Sequence, residues 1–122
     1  MRIVRFGHVI VFGPDLTPEQ RAAAPVVYGA LKAAGALYES GERDADKLRA
    51  AMTDYLRRAP LAEPDYVSVA DPVTLVEARG AADSPVLASL TVKFGSTRLL
   101  DNALLPLNLN DRHGLNRTLG AV

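Results

Sequence analysis

Polar side chains that could bind a small molecule are concentrated at two places in the second half of the sequence. Arg98, Asp101 and Asn102 follow a Gly-Ser-Thr turn, and Tyr66 lies in an earlier apolar segment. Ligand pockets place a few such groups around an otherwise apolar mouth, so we predict these four residues as substrate-binding. Asp and Arg beside a turn also commonly stabilise it by local hydrogen bonds and ion pairs. A structural role for Arg98 and Asp101 therefore stays open.

No residue pattern identifies a catalytic group. The only histidines, His8 and His113, lie in a strand-like segment and in the C-terminal tail. Neither has a carboxylate at the spacing of a catalytic triad or a metal site, so we expect structural or solvated roles. The sequence has no glycine-rich phosphate loop, serine nucleophile motif or basic stripe with aromatic residues. The catalytic residues stay unknown, and neither a cofactor nor a metal is predicted.

Length and composition restrict the class of protein. A chain of 122 residues with 48% hydrophobic residues suits one domain with one core. Its 14 basic residues balance 14 acidic ones, which argues against binding to nucleic acid or to an acidic membrane. Cysteine is absent, and the apolar N-terminal run is too short for a membrane span or a signal peptide. We expect a cytoplasmic protein.

The first half of the chain predicts a strand and two helices. Alternating apolar residues over 1–13 indicate an N-terminal strand or a bent pair of strands. Thr17 and Gln20 have the spacing of a capping box, which predicts a helix from Pro18 onwards that ends near Gly41. Pro25 lies inside this pattern and should kink the helix. A second helix should start at Asp44, with a buried face formed by Leu48, Met52, Tyr55 and Leu56.

The second half predicts an antiparallel sheet. Strands are expected at 65–70 and 85–94, and a turn at Gly95-Ser96-Thr97 leads into a third strand that ends near residue 105. Residues 106–122 should form a mobile tail or a surface clip. The predicted fold class is α+β, with two helices packed on a sheet of three strands and the N-terminal strand as a possible fourth.

Four sequence segments, in order and in spacing, resemble the C-terminal domain of the pantothenate synthetase (pantoate–β-alanine ligase) family. They are LTPEQR at 16–21, GERD at 41–44, DYV at 65–67 with DPVTL at 71–75, and FGSTRLLDN at 94–102, which is similar to the family's G-x-T-R-L-I-D-N signature. The resemblance covers about residues 14–105 and divides the chain into a strand segment, 1–13, this domain, and the tail.

The resemblance implies a lid domain that stands without its nucleotide-binding half. Members of the family join pantoate to β-alanine through a pantoyl-adenylate, and their N-terminal domain carries the nucleotide site. A Ser-Ser-Arg-Asn motif that contacts the phosphates precedes the lid in the family, whereas residues 10–13 of this chain are apolar. We therefore expect that the chain is not a complete ATP-dependent ligase on its own.

Three functions stay open. The first is a repurposed stand-alone lid that binds or acts on a small molecule, such as a cyclase-like enzyme of bacterial specialised metabolism. The second is the lid subunit of a split ligase, working with a separate nucleotide-binding subunit. The third is a non-catalytic interaction module, a homodimer formed through the N-terminal strand. We favour the first, because the phosphate-contacting residues are missing and the composition, rich in Ala and Arg, is typical of bacterial genomes with a high GC content.

A small-molecule function requires a pocket. Gly29, Gly35 and the kink at Pro25 should hold the first helix away from the sheet and open an apolar space. We expect Tyr66 or Arg98 at its mouth, and the walls should be formed by Val26 or Val27, Leu31, Val67, Leu90 and Val92.

Overall fold

The computed structural model describes residues 3–6 and 9–107 of the chain. The fold is α+β, with three helical segments on one face of an antiparallel sheet. In chain order the elements are β1 Ile3–Phe6, β2 Val9–Phe12, α1 Pro18–Ala23, α2 Val26–Glu39, α3 Ala45–Leu56, β3 Glu63–Ala70, β4 Val86–Phe94 and β5 Thr97–Leu105. The strand order across the sheet is β1-β2-β5-β4-β3.

The predicted first helix forms as two helices. The capping box is confirmed, because the Thr17 side chain accepts from the Gln20 backbone N–H and the Gln20 side chain accepts from the Thr17 N–H. Pro25 interrupts the helix rather than only bending it, and α2 starts at the next residue. The Gln20 side chain also donates to the Phe94 carbonyl at 3.1 Å, which holds α1 against the turn between β4 and β5.

The second predicted helix is confirmed as α3. The Asp44 carboxylate accepts from the Asp46 N–H at 2.9 Å and so caps the first turn. Leu48, Met52 and Leu56 are buried, as their spacing predicts.

The N-terminal segment adds two strands to the sheet. β2 pairs antiparallel with β5, with Phe12 opposite Arg98, and β1 pairs with β2. The N-terminal segment thus joins the sheet, as expected of a possible fourth strand. Within the part of the chain that the structure describes, the sheet has five strands, one more than the three to four expected, because the segment forms a pair of strands, the alternative to a single strand that the sequence left open.

The core lies between the helices and one face of the sheet. Side chains of β4 alternate between buried and half-buried along the whole strand, so alternate residues face the helices. Phe94, Leu99 and Leu105 are fully buried on this side, together with Leu31 and Val27 of α2.

The predicted pocket between the first helix and the strands is replaced by this core. Val27, Leu31, Leu90 and Val92 belong to one closed hydrophobic cluster, and Val67 packs against it. Two glycines that we expected to leave space instead admit larger neighbours. A Cβ on Gly29 would lie 2.4 Å from Cε1 of Tyr55, and one on Gly35 would lie 3.1 Å from Cβ of Leu107. The expectation of an apolar cavity at this place was therefore wrong.

Candidate functional site

Three of the four predicted binding residues share the open sheet face, the side of the sheet that points away from the helices. Alternation along β5 places Arg98 and Asn102 on this face, and the register pairs Tyr66 of β3 with Thr91 of β4 and Thr91 with Leu100 of β5. Residues directly opposite each other on neighbouring strands point to the same face, so Tyr66, Thr91 and Leu100 lie on the open sheet face together. The open sheet face comprises Ile10, Phe12, Tyr66, Leu87, Ser89, Thr91, Lys93, Arg98, Leu100, Asn102 and Leu104.

Asp101 lies on the opposite side of the sheet. It has the other parity along β5, is only 7% exposed, and its Oδ1 accepts from the Asn102 backbone N–H at 2.8 Å. A ligand on the open sheet face would therefore not reach this carboxylate. The substrate-binding role of the four residues stays a prediction, and Asp101 could take part in it only from the helix side.

Arg98 is the most available cation of the open sheet face. Its Nε lies 3.7 Å from Oδ2 of Asp65, which sits at a β-bulge between Pro64 and Tyr66. The Arg98 side chain is 52% exposed, so this ion pair is weak and easily exchanged for another anion. Lys93 is directly opposite Arg98 in the register, which brings a second cation to the same end of the sheet. Lys93 was not predicted as a site residue, although the alternation along β4 places it on the open sheet face.

A cavity of about 440 Å³ lies at the other end of the sheet, beyond the C-terminal end of β3. It is an open cleft between the hairpin formed by residues 71–79 and the segment 81–86. Its lining residues are Asp71, Thr74, Val76, Glu77, Ala78, Arg79, Ala81, Ala82, Asp83, Ser84, Pro85 and Val86. None of these was predicted as a site residue, because no local pattern indicated that residues 76–78 return along β3, where the Ala78 N–H donates to the Val69 carbonyl.

Glu77 fixes the wall of this cavity. Its carboxylate accepts from the Ser68 hydroxyl at 2.6 Å and from the Val69 backbone N–H at 2.9 Å. Arg49 of α3 donates to the same carboxylate at 3.1 Å and also to the Ala78 carbonyl. Glu77 therefore connects the hairpin, β3 and α3, and its bonding capacity is used for structure rather than for a ligand.

Asp71 fixes the tip of the hairpin. Its Oδ1 accepts from the backbone N–H groups of Val73 and Thr74, both at 2.8 Å. These two hydrogen bonds favour the charged form of the Asp71 carboxyl and so lower its pKa below the ordinary value. The bond from Thr74 has the larger effect, and the bond from Val73 has the smaller one.

The tip should lose order in acid. The folded pKa of the Asp71 carboxyl lies below its unfolded pKa of about 3.9. The charged carboxylate therefore stabilises the tip fully at pH values above the unfolded pKa, and this stabilisation is lost as the pH falls through the folded pKa. We expect the amide proton shifts of Val73 and Thr74 to stay constant from about pH 7 to pH 5 and to change below about pH 4. The Asp71→Asn variant keeps the acceptor oxygen but not the charge, so its shifts should stay flat. A midpoint above about pH 4.5 in a nuclear magnetic resonance titration would contradict this assignment.

Three other features can be checked in the part of the chain that the structure describes: the histidines, metal sites and membrane-spanning helices. His8 and His113 lie outside them. Within residues 3–6 and 9–107, no group of three or more His, Cys, Asp or Glu side chains could hold a metal ion. No helix in the same part of the chain is long and apolar enough to cross a membrane.

The fold and the two surfaces define a small α+β domain that carries cations on one open sheet face and has no catalytic group identified among its described residues. The chain belongs to the pantoate–β-alanine ligase family, whose model matches residues 14–104. It is 53% identical over 90 residues to the pantothenate synthetase of Chloroflexus aggregans, an alignment that covers 74% of this chain and 32% of that protein. The corresponding protein of Herpetosiphon aurantiacus is 49% identical and that of Brucella canis 46% identical, each over 90 residues.

Solved structures agree with this assignment. The crystal structure of pantothenate synthetase from Thermus thermophilus superposes with a TM-score of 0.65 at 30% identity, over 71% of this chain and 31% of that one. The chain thus spans about a third (32%) of the length of the relatives it matches and corresponds to their C-terminal domain.

Proposed function

We propose that this domain acts as the lid of a pantoate–β-alanine ligase. In this ligase, a separate subunit supplies the nucleotide-binding part. The observation that carries the proposal is the position of the cations. The family match begins at residue 14, and the Pro14 carbonyl accepts from the Thr97 hydroxyl at 2.6 Å. The remainder of a relative's chain would therefore join next to Thr97, at the end of the sheet that carries Arg98 and Lys93.

The chemistry of this end suits a lid that closes over an anionic reactant. Arg98 and Lys93 are opposite each other in the register, and guanidinium and ammonium groups bind phosphate and carboxylate oxygens by charge-assisted hydrogen bonds. Asp65 and Glu63 lie at the same end, so the surface also contains anions that an incoming ligand would have to replace. The face is broad and open, which fits a surface that works against a second domain better than one that encloses a ligand alone.

The isolated chain is not expected to bind ATP. Residues 10–12 form a strand that pairs with β5, and an apolar strand whose backbone groups are paired offers no phosphate ligands. Calorimetric titration of the 122-residue chain with ATP and Mg²⁺ should give no heat of binding. Binding in the micromolar range would show that the domain carries a nucleotide site of its own.

A chimera tests the lid function directly. Residues 14–107 would replace the matching C-terminal part of the Chloroflexus aggregans enzyme, with which the chain is 53% identical over 90 residues. We expect the chimera to release AMP only when ATP, pantoate and β-alanine are all present. A folded chimera without this activity would overturn the proposal.

Arg98→Ala in the chimera should lower kcat/KM by about 10- to 100-fold, the range expected when a hydrogen bond to a charged group is lost. The melting temperature should stay nearly unchanged, because the pair with Asp65 is exposed. Arg57→Ala is the matched control, since Arg57 at the end of α3 also forms only an exposed ion pair, with Asp54. An Arg98→Ala chimera with full activity would remove Arg98 from the site.

A second candidate is favoured by the open cavity at the other end of the sheet. A volume of about 440 Å³ is within the range of small-molecule sites, so a repurposed, cyclase-like role would place its ligand there rather than in the core. Ligand-observed magnetic resonance with mixtures of small metabolites tests this candidate. Line broadening that Ser84→Trp abolishes would support it, whereas broadening that survives this substitution would place the ligand elsewhere.

A further inference from the structure

Asp65 joins the open sheet face through the β-bulge of β3. The register pairs Pro64 with Val92 and Tyr66 with Thr91, which leaves Asp65 as the extra residue of the bulge. In a bulge, two neighbouring residues oppose a single residue of the adjacent strand, and one side chain is aimed in a new direction. The bulge therefore adds a carboxylate next to Tyr66, on a face that regular alternation would not give to both residues.

The carboxylate of Asp65 reaches Arg98 across an intervening strand. β4 lies between β3 and β5 in the sheet, yet Nε of Arg98 is 3.7 Å from Oδ2 of Asp65. This separation is that of an ion pair and is too long for a hydrogen bond. The contact therefore holds the guanidinium group over the open sheet face and leaves its N–H groups able to donate to another acceptor.

The charges at this end of the sheet balance. The register places Glu63 opposite Lys93 and Lys93 opposite Arg98, and the bulge adds Asp65. Two cations are thus matched by two carboxylates on the same surface. Two cations alone would attract any anion, whereas the matched set favours an anion with more charge than the carboxylate that it replaces.

Asp65 is a strong competitor for Arg98 because it belongs to the same chain. A tethered group has an effective concentration on the order of millimolar toward its partner. The carboxylate of a small molecule would make the same contact with Arg98, so at lower concentrations it does not displace Asp65. A phosphate group carries about 1.5 to 2 negative charges at pH 7 and can accept hydrogen bonds from Arg98 and Lys93 together.

We propose that Asp65 is a specificity-determining residue of the lid, which occupies Arg98 as an internal competitor and is displaced only by a group with about two or more negative charges. The ligand class at this end of the sheet is then a phosphate or pyrophosphate group rather than a carboxylate. The inference rests on the proposed lid function for its role in catalysis. The selection of anions itself is a property of the isolated domain and can be measured without ligase activity.

Magnetic resonance of the arginine side chains in the full 122-residue chain tests the proposal. We expect inorganic pyrophosphate, but not acetate at the same concentration, to shift the Nε–H resonance of Arg98 in the wild-type chain. Asp65→Asn should bind pyrophosphate about fivefold more tightly, the upper range for the loss of an exposed ion pair, and should also respond to acetate. Asp65→Glu keeps the carboxylate and should behave like the wild-type chain.

Glu63→Gln is the matched control. It removes one negative charge from the same end of the same strand, but Glu63 lies opposite Lys93, whereas Asp65 contacts Arg98. Its affinity for pyrophosphate should change by less than about twofold. Equal tightening in Glu63→Gln and Asp65→Asn would mean that only net charge matters and would overturn the proposal. A gain in Asp65→Asn that persists when Arg98→Ala is added would overturn it as well.

The chimera shows whether the same selection acts in catalysis. Inorganic phosphate should inhibit the Asp65→Asn chimera at about a fivefold lower concentration than the unsubstituted chimera, with a similar melting temperature. An inactive chimera would remove the lid function, while the titration of the isolated chain still decides the role of Asp65. An active chimera whose inhibition by phosphate is unchanged by Asp65→Asn would overturn the inference and leave the lid function standing.

Discussion

Replacing Glu77 by alanine is expected to destabilise the folded domain by roughly 2–4 kcal/mol. The carboxylate accepts hydrogen bonds from Ser68, Val69 and Arg49, and the Ser68 residue is buried. Without it, a buried hydroxyl and a backbone N–H lose their partner, and the half-buried Arg49 keeps only the exposed Asp46 as its counter-charge. Unpaired buried groups of this kind cost more than the formed bonds contribute. The Glu77 side chain is 36% exposed, so solvent moderates the loss, and we place it below that of a fully buried pair.

Urea denaturation of the purified chain measures this effect. Glu77→Gln keeps an acceptor oxygen and the side-chain length, so its loss should be smaller than that of Glu77→Ala. Glu63→Ala removes an exposed glutamate of β3, outside the hairpin, and should change the free energy of unfolding by less than about 0.5 kcal/mol. If Glu77→Ala is no more destabilising than Glu63→Ala, the connection of hairpin, strand and helix through Glu77 has no energetic weight.

Glu77 shows where sequence analysis stops. Its three partners are eight, nine and 28 residues away in the sequence, and the longest of these contacts joins a helix to a hairpin. No local pattern marks such a residue, because the energy comes from the meeting of two elements. No sequence pattern indicated that residues 76–78 return along β3, where the Ala78 N–H donates to the Val69 carbonyl. The cavity beside the hairpin was missed for the same reason.

Local signals were predicted well. The capping box at Thr17 and the cap at Asp44 are both confirmed, since each depends on atoms within three residues of one another. The alternation of β4 also follows from local geometry. Pro25 was predicted to kink the helix at its position, and there the helix breaks into two. The packing between these elements could not be predicted from local patterns. The space expected beside Gly29 is filled by Tyr55, a residue from another helix.

Local sequence patterns also predicted part of the candidate site. Arg98 and Asn102 have the same parity along β5, so alternation alone places them on one face and Asp101 on the other. Proximity in sequence grouped Asp101 with them, because the segment was interpreted as a turn as well as a strand. The contribution of Tyr66 required the register of β3 against β4, which includes a bulge before Tyr66 that no sequence pattern indicated.

The two ends of the sheet are suited to different partners. The end near Thr97 combines exposed cations with the point where the family match begins, whereas the far end combines aliphatic side chains with a cavity. Substitutions at the two ends should act independently, because well-separated sites without common partners are additive in free energy.

Gly13→Ala is expected to cost about 3–5 kcal/mol, the sum of a backbone conformation that disfavours side chains and a steric clash. Gly13 has φ +126°, and a Cβ added there would lie 3.0 Å from the Ser96 carbonyl oxygen and 3.3 Å from Cα of Thr97. Both neighbours are backbone atoms of the turn between β4 and β5, so they cannot move away as a flexible side chain would. The clash lies beside the hydrogen bond from Thr97 to the Pro14 carbonyl, where the N-terminal strands meet the domain.

Gly41 provides the matched control for this substitution. It also has a positive φ, +110°, but a Cβ there would meet no atom within 4 Å. Gly41→Ala should therefore show only the conformational cost, about 1–3 kcal/mol, and the difference between the two variants isolates the clash. Urea denaturation gives both free energies, and hydrogen exchange of the β2 and β5 amides shows whether the loss in Gly13→Ala is local to this junction. Equal destabilisation by the two substitutions would mean that the turn accommodates the extra methyl group. The close approach at Gly13 would then not hold the N-terminal strands in place.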